Sequence, residues 1–513
     1  MNTFFSFCKK QYNEKPLLYI ILISLIPRIL AAIFAKGYGM HDDMFGPVQS
    51  MQEALEDFNT VKNDEPRLIL YPFVQYIIFY ICEFFKIFDP QSKMYVVRIV
   101  HSLYSILTVY LSYKITLLIS NKKNANQVGI IVALFWILPY MSVRNLVEVF
   151  SIPPLMAGVY YIIQTLNREK NKILNSKEKM LSNNILIIIA GIFFSLAFVI
   201  RYQTAFIPFG IGIVFLFNKK FKEFGLLTIS ILILSSLLLV IPEYLIWNKT
   251  FYHITNYILN STNFAGYPVS PWYNIPLLLI GILIPPFGII LFYSFFKTWK
   301  KYAILFIPTL CFIIFHTIYP NKQERFILTI VPLFIILCIT GWNEFVKKSK
   351  FWRNHQYLIK FNWIWFWIIN IILLTIFTFT YSKKTRVEAF TYLSKQNVNA
   401  IVIEMNETDT YFAPIFYLGN NKNKPIYYLY KGYMPKELIN NVSLNFNTNP
   451  NYAIFFDNKE LKKRINNFEK NFQCQLQLNT KIIPGLLDRI LYCTNPKHNK
   501  NYTAYIFKIN INK

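Results

Sequence analysis

Acidic side chains are scarce in this chain: 26 Asp and Glu stand against 53 Lys and Arg, a net charge of +27 over 513 residues. That imbalance does not imply a nucleic-acid partner, because the basic residues fall at 9–15, 122–123, 168–179, 219–222, 297–301 and 347–353, between apolar runs or just before the first. Short Lys-rich loops are retained on the cytoplasmic side of a membrane, so these charges fix orientation. Cysteine and histidine are also rare, six of each. Neither forms a metal-ligand spacing, so no metal site is expected. Cys474 and Cys493 share one segment expected outside, where a disulfide is permitted. A cleavable signal is missing too: 17–35 is long and lacks a small-residue cleavage site, and reads as an uncleaved first span. No internal repeat is visible, which weighs against a transporter or flippase.

Apolar residues, by contrast, abound. They make up 54% of the chain, aromatics 18%, and the mean hydropathy is +0.33. Runs long enough to cross about 30 Å of hydrocarbon recur along the chain. About eleven can be threaded with the N-terminus inside: 17–35, 94–120, 127–143, 147–166, 185–200, 204–217, 224–243, 275–296, 302–319, 327–341 and 362–381. This puts nearly every Lys-rich loop on one face and the C-terminal segment on the other. The stretch 68–88 holds Tyr71-Pro72, Glu83 and Lys86 and is read as an amphipathic helix lying on the outer interface, within a long outer loop 36–93.

Beyond residue 382 the pattern changes. Segments 399–404, 425–430, 452–456 and 502–509 read as strands and 461–472 as an amphipathic helix. The expected architecture is a polytopic α-helical membrane domain over 1–381 followed by a soluble extracytoplasmic α/β domain over 382–513. No Gly-rich phosphate loop follows the first strand of that domain, so it reads as a docking or acceptor-binding module.

Three features fall on the outer face. The first is His41-Asp42-Asp43, directly after span one, where a carboxylate can act as a general base or merely start a helix. The second is Pro320-Asn321-Lys322-Gln323-Glu324-Arg325-Phe326, whose cations can hold a phosphate or anchor at the interface. The third is the pair of turns carrying Arg201 with Gln203 and Arg144 with Glu148. Arg28 lies inside span one, where a structural partner in the bundle is expected.

These motifs, in this order, resemble the GT-C superfamily of membrane glycosyltransferases, in particular the family 22 mannosyltransferases of dolichol and GPI pathways and their bacterial relatives. His41-Asp42-Asp43 is similar to that family's acidic pair after the first span. Residues 320–326 resemble its Pro-His-Lys-Glu-x-Arg-Phe motif, with Asn321 and Gln323 as departures. Pro271-Trp272-Tyr273 resembles its Trp-containing loop, and Arg201-Tyr202-Gln203-Thr204 its Arg-Pro-Thr turn. The resemblance implies an inverting hexosyltransferase that moves a sugar, most readily mannose, from a polyprenyl-phosphate donor to a glycan or lipid-linked acceptor. It implies Asp42 as base with Asp43 beside it, Lys322, Arg325 and Arg201 on the donor phosphate, and His41, Glu324, Trp272, Tyr273 and Gln203 positioning the substrates. No cofactor besides the lipid-linked sugar is implied. The place would be a bacterial inner membrane with the site facing the periplasm, or the endoplasmic reticulum with a lumenal site.

Overall fold

Apolar runs free of helix breakers become long helices. The computed structural model describes residues 14–63, 69–170, 176–262, 269–405, 413–430, 449–496 and 499–511. Among them seven helices are long and apolar enough to cross a membrane: Pro16–Phe34, Pro90–Ile119, Val147–Glu169, Asn183–Ile200, Phe221–Trp247, Glu324–Lys348 and Gln356–Thr378. They coincide with seven of the eleven expected crossings. Two more, Tyr202–Phe217 and Ala303–Ile318, are shorter apolar helices, as is Leu70–Phe84.

Burial separates core helices from peripheral ones. The apolar window of Glu324–Lys348 is 89% buried, while that of Phe221–Trp247 is only 17% buried. The latter leaves Ile229, Leu232, Ile233, Leu237 and Ile241 exposed over several turns. A contiguous apolar face of that length is not stable in water and requires lipid around it. The chain is therefore a multi-pass integral membrane protein.

Two expected crossings are broken rather than straight. The expected span 275–296 is two helices, Asn274–Ile282 and Phe287–Phe296, bent by 117°. Pro285 and Pro286 supply no N–H and push the residue before them out of the helical region. The carbonyls freed there are met by indoles: Trp136 Nε1 donates to Ile282 O at 3.1 Å and Trp365 Nε1 to Pro285 O at 2.9 Å. The expected span 127–143 is likewise split, into Lys122–Leu134 and Ile137–Ser142. Asn370 bridges that break, accepting from Trp136 N (2.9 Å) and donating to Leu134 O (2.8 Å). Backbone at membrane depth must be satisfied by protein in this way. Arg28 is met by the same device, donating to Ser105 Oγ (2.9 Å) and to the Ala133 carbonyl (2.7 Å).

Small residues set the spacing of the helices that carry the site. A Cβ on Gly158 would lie 2.6 Å from the Phe194 ring, and one on Gly191 would lie 2.5 Å from Ser230 Cβ. Helix Ser176–Ile200 is thereby held close to Ile152–Lys170 on one side and Phe221–Trp247 on the other. Close approach through small residues is the usual way such helices pack in lipid.

The chain forms two units. Met1–Ala31, Asn59–Val74 and Arg98–Thr378 make the first; Ala32–Phe58, Gln75–Val97 and Phe379–Lys513 make the second. The second holds a five-stranded sheet of β1 (Ile401–Met405), β2 (Ile426–Tyr430), β3 (Tyr452–Phe456), β4 (Cys474–Ile482) and β5 (Ala504–Ile511), in the order β2-β1-β3-β5-β4. β1 pairs in parallel with β2 and β3, and β5 runs antiparallel to β3 and β4. The apolar run Ile401–Ile403 of β1 and the whole of β3 are buried on both faces, as parallel strands usually are. β4 was not expected, although Cys-Gln-Leu-Gln-Leu carries the alternation of a half-exposed strand. Helix Leu461–Phe472 lays Phe468 against Phe455 in the core of this sheet. The permitted disulfide is not formed: Cys474 is a buried free thiol at the start of β4, and Cys493 is an exposed one on helix Leu486–Thr494.

One ion pair inside this unit gives a test of its packing. Arg464 donates to the fully buried Glu404 carboxylate at 2.6 Å and to the carbonyls of Phe456 (3.0 Å) and Asp457 (2.6 Å). Arg464→Ala removes the ion-pair partner of that buried carboxylate and is expected to cost about 3–5 kcal/mol, read as a lower thermal unfolding midpoint of the detergent-solubilised protein. Adding Glu404→Leu should restore most of the loss, because no buried charge is then left alone.

Candidate active site

Within the first unit, loops far apart in sequence meet around a single carboxylate. The one-turn helix Val147–Phe150 carries Glu148, whose side chain is 0% exposed. Helix Ser176–Ile200 ends where Arg201 turns extended (φ −150°, ψ 108°), which brings its guanidinium Nη2 to 3.2 Å from Glu148 Oε1. The segment after Gln323 tightens into the 3-10 helix Glu324–Ile330, and Arg325 Nε comes within 3.4 Å of the same oxygen. Thr329 Oγ1 donates to the Glu148 carbonyl at 3.2 Å and ties that helix to the first loop. Phe326 presents its ring to both guanidiniums, at 4.8 Å from Arg201 and 5.8 Å from Arg325.

Among the described residues, two largely buried arginines share the Glu148 carboxylate. Guanidinium is the group best suited to a bidentate phosphate contact. On these and the adjoining segments, several buried polar atoms have no hydrogen-bond partner among the described residues: Glu148 Oε2, Asn145 Oδ1, Gln203 Oε1, His316 Nε2 and Asn321 Oδ1. An unmet buried polar group costs about 1–3 kcal/mol, so a concentration of them marks a place arranged for something other than stability. The His316 ring lies 6.0 Å from that of Phe326.

Lys322 and Gln203 belong to the same loops. Lys322 Nζ donates to Ser270 O at 2.8 Å, and Ser270 N donates to Pro320 O at 3.2 Å. With the antiparallel bridge between Val269 and Asn321, these bonds hold the Trp272-Tyr273 turn against 320–322. Burial lowers the Lys322 ammonium from its ordinary pKa. Gln203 donates to the Tyr257 hydroxyl. Burial pushes that phenol up, although Arg201 draws it down. Glu243 accepts from the backbone N–H groups of Tyr252 (2.9 Å) and His253 (3.3 Å), capping the helix that carries Tyr257.

The sequence-selected residues thus divide. Arg201 and Arg325 come together on Glu148, with Gln203 and Lys322 on the same loops. Glu324 is exposed, and so are Trp272 (67%) and Tyr273 (46%). The Arg144 guanidinium stacks 4.4 Å over the Tyr140 ring. His41-Asp42-Asp43 begins a one-turn helix, His41–Met44, in the second unit. Asp43 is buried there, while the side chains of His41 and Asp42 lie outside the described residues. Gly37, four residues upstream, has φ +81°, and a Cβ on it would collide with Ser382 O at 1.9 Å. Only glycine fits that approach. Sequence reasoning did not single out Glu148 as the shared counter-ion, nor Tyr257 or His316; no local spacing reveals such contacts.

The fold is that of GT-C enzymes. ArnT from Cupriavidus metallidurans, solved bound to undecaprenyl phosphate, superposes with a TM-score of 0.59 at 9% identity, covering 96% of this chain and 97% of that one. The oligosaccharyltransferase AglB from Archaeoglobus fulgidus, solved with an inhibitory peptide and a dolichol-phosphate, gives 0.55 at 11% identity, covering 88% and 70%. Comparison with curated protein sequences gives no significant match. The profile of the Alg9-like mannosyltransferases matches residues 57–412, most of the chain and every loop of the arginine site, though it begins beyond His41-Asp42-Asp43. The protein is a membrane glycosyltransferase rather than a transporter, and it belongs to the Alg9-like mannosyltransferase family.

Proposed function

We propose that this enzyme transfers mannose from a polyprenyl-phosphate donor to a glycan or lipid-linked acceptor, with inversion, at the non-cytoplasmic face of the membrane. The observation that carries the reading is the Arg201–Glu148–Arg325 cluster, a buried cationic site on loops matched by the family profile. The undecaprenyl phosphate and dolichol-phosphate held by the two fold relatives support a lipid phosphate as the anion it receives. A bacterial inner membrane, with the site toward the periplasm, is the proposed location; the endoplasmic reticulum lumen is the alternative.

In this scheme an acceptor hydroxyl attacks the anomeric carbon while the bond from that carbon to the phosphate oxygen breaks. The hydroxyl proton passes to Asp42, and Asp43 orients the acceptor or Asp42 itself. The departing polyprenyl phosphate is a weak base, so it needs cationic stabilisation more than a proton. Arg201 and Arg325 supply that charge, and Lys322, fixed to the Ser270 carbonyl, adds to it. His41, Glu324, Gln203 and the exposed Trp272 and Tyr273 are assigned to substrate positioning, and no separate cofactor is required.

With a mannoside supplied as acceptor, incubating the purified protein with a panel of polyprenyl-phosphate sugars should release polyprenyl phosphate from the mannosyl member as its sugar passes to the acceptor hydroxyl. Release from none of them would overturn the reading. Arg325→Ala removes a charged hydrogen-bond donor worth roughly 1.5–3 kcal/mol, so donor affinity should fall about 10- to 100-fold. An unchanged donor dissociation constant would take the phosphate away from this cluster.

A further inference from the structure

The second unit holds a cavity of about 420 Å³ that the chemistry above does not use. Its walls come from the short helix Met51–Glu56 bearing Gln52 and Glu56, from Glu83 and the following segment to Lys93, and from the 3-10 segment Ile415–Asn421 with the turn after it. Lys93 is only 3% exposed, and lysine is almost never so buried unless paired. Its ammonium donates to Gln52 Oε1 at 2.7 Å and to Glu83 Oε1 at 2.6 Å, while Gln52 Nε2 donates to the same Glu83 oxygen at 3.0 Å. On the opposite side Lys422 pairs with Glu56.

Among the described lining residues the two ammonium groups and the two carboxylates are already paired, Lys93 with Glu83 and Lys422 with Glu56, so none of these charges is left over for a phosphate or a metal cation. What remains is a set of oriented donors and acceptors. The amides of Asn420 and Asn423 are exposed at the rim and can each donate and accept. Phe416, buried, and Phe88, 59% exposed, add apolar surface beside them. A neutral sugar ring has the matching chemistry: hydroxyls that donate and accept around its edge, and a C–H face that packs on an aromatic ring. The exposed rings of Phe84 and Phe85 beside Phe88 suit a place at the membrane interface, within reach of a glycan carried on a lipid.

We propose that this cavity binds a neutral hexose residue. Resting on the transferase reading above, that residue belongs to the acceptor glycan and is not the unit that reacts. The cavity then selects an acceptor already bearing sugar over a bare lipid.

The test uses the full chain in detergent, with mannobiose and inorganic phosphate as probes in saturation-transfer NMR. Mannobiose is expected to receive saturation from the wild-type protein. The rim substitutions Asn420→Ala and Asn423→Ala together should weaken its binding at least about tenfold, the effect of losing one good hydrogen bond. Acceptor-independent cleavage of polyprenyl-phosphate mannose should stay within about twofold of wild type, because neither asparagine belongs to the arginine site. Absence of saturation transfer, binding undiminished in the double variant, or displacement of mannobiose by phosphate would each overturn the proposal. A lipid-linked mannobiose that binds more tightly than the free disaccharide identifies a membrane-borne acceptor; equal binding identifies a soluble glycan, and both leave the sugar site standing. Donor cleavage is read separately. Its loss alongside intact mannobiose binding would remove the catalytic reading and keep the sugar site.

Discussion

Replacing Asp42 by asparagine is expected to cut turnover by about 100- to 10,000-fold, the usual contribution of a general base. The substitution is nearly isosteric and falls at the start of a one-turn helix, so the yield of folded protein should not change. Polyprenyl-phosphate affinity should also hold, because the donor phosphate is assigned to Arg201 and Arg325. The pH profile makes the assignment specific. A base must be deprotonated to work, so kcat/KM of the wild type should fall on the acid side, and Asp42→Asn should lose that limb along with its rate. Turnover at the wild-type level in Asp42→Asn would remove this residue from the reaction. Asp43 offers a contrast: it is only 5% exposed, so Asp43→Asn should disturb the local fold as well as the rate.

Glu148→Gln is the second large effect, and its sign separates a structural ion pair from a donor site. Glu148 is fully buried and neutralises one of the two guanidiniums within 3.4 Å of its Oε1. Without that charge Arg201 and Arg325 repel each other away from water, and breaking a buried pair of this kind costs about 3–5 kcal/mol. The variant should melt at a clearly lower temperature when no lipid phosphate is present. Polyprenyl phosphate replaces the missing negative charge, so it should raise the melting temperature of Glu148→Gln by more than it raises that of wild type, since a ligand that binds only the folded state stabilises it. Turnover should nevertheless drop, because the product phosphate is then held too firmly to leave. Equal stabilisation of both proteins by polyprenyl phosphate would mean that the arginines do not receive it.

Much of the architecture was legible because it depends on composition over long windows. An apolar helix of spanning length is stable only when it is buried or wrapped in lipid, and seven expected crossings match such helices. The amphipathic run 461–472 and the apolar runs of β1, β2 and β3 were readable for the same local reason. β4 carried a signal that was present but not used, its alternation of polar and apolar residues. The broken span at Pro285-Pro286 was likewise written in the chain, since two consecutive prolines cannot continue a helix. The break near Phe135 was not, because its repair comes from Asn370, far along the chain.

The sequence by itself determined the class of molecule: the length of its apolar runs and the segregation of lysines between them are local properties, and the bilayer acts on local properties. It also supplied the residues from which a transferase site could be drawn. Only the tertiary structure decided which charges act on one another. Glu148 takes Arg201 and Arg325 from two other loops, because an ion pair depends on distance in space, and that distance is set by how the helices pack.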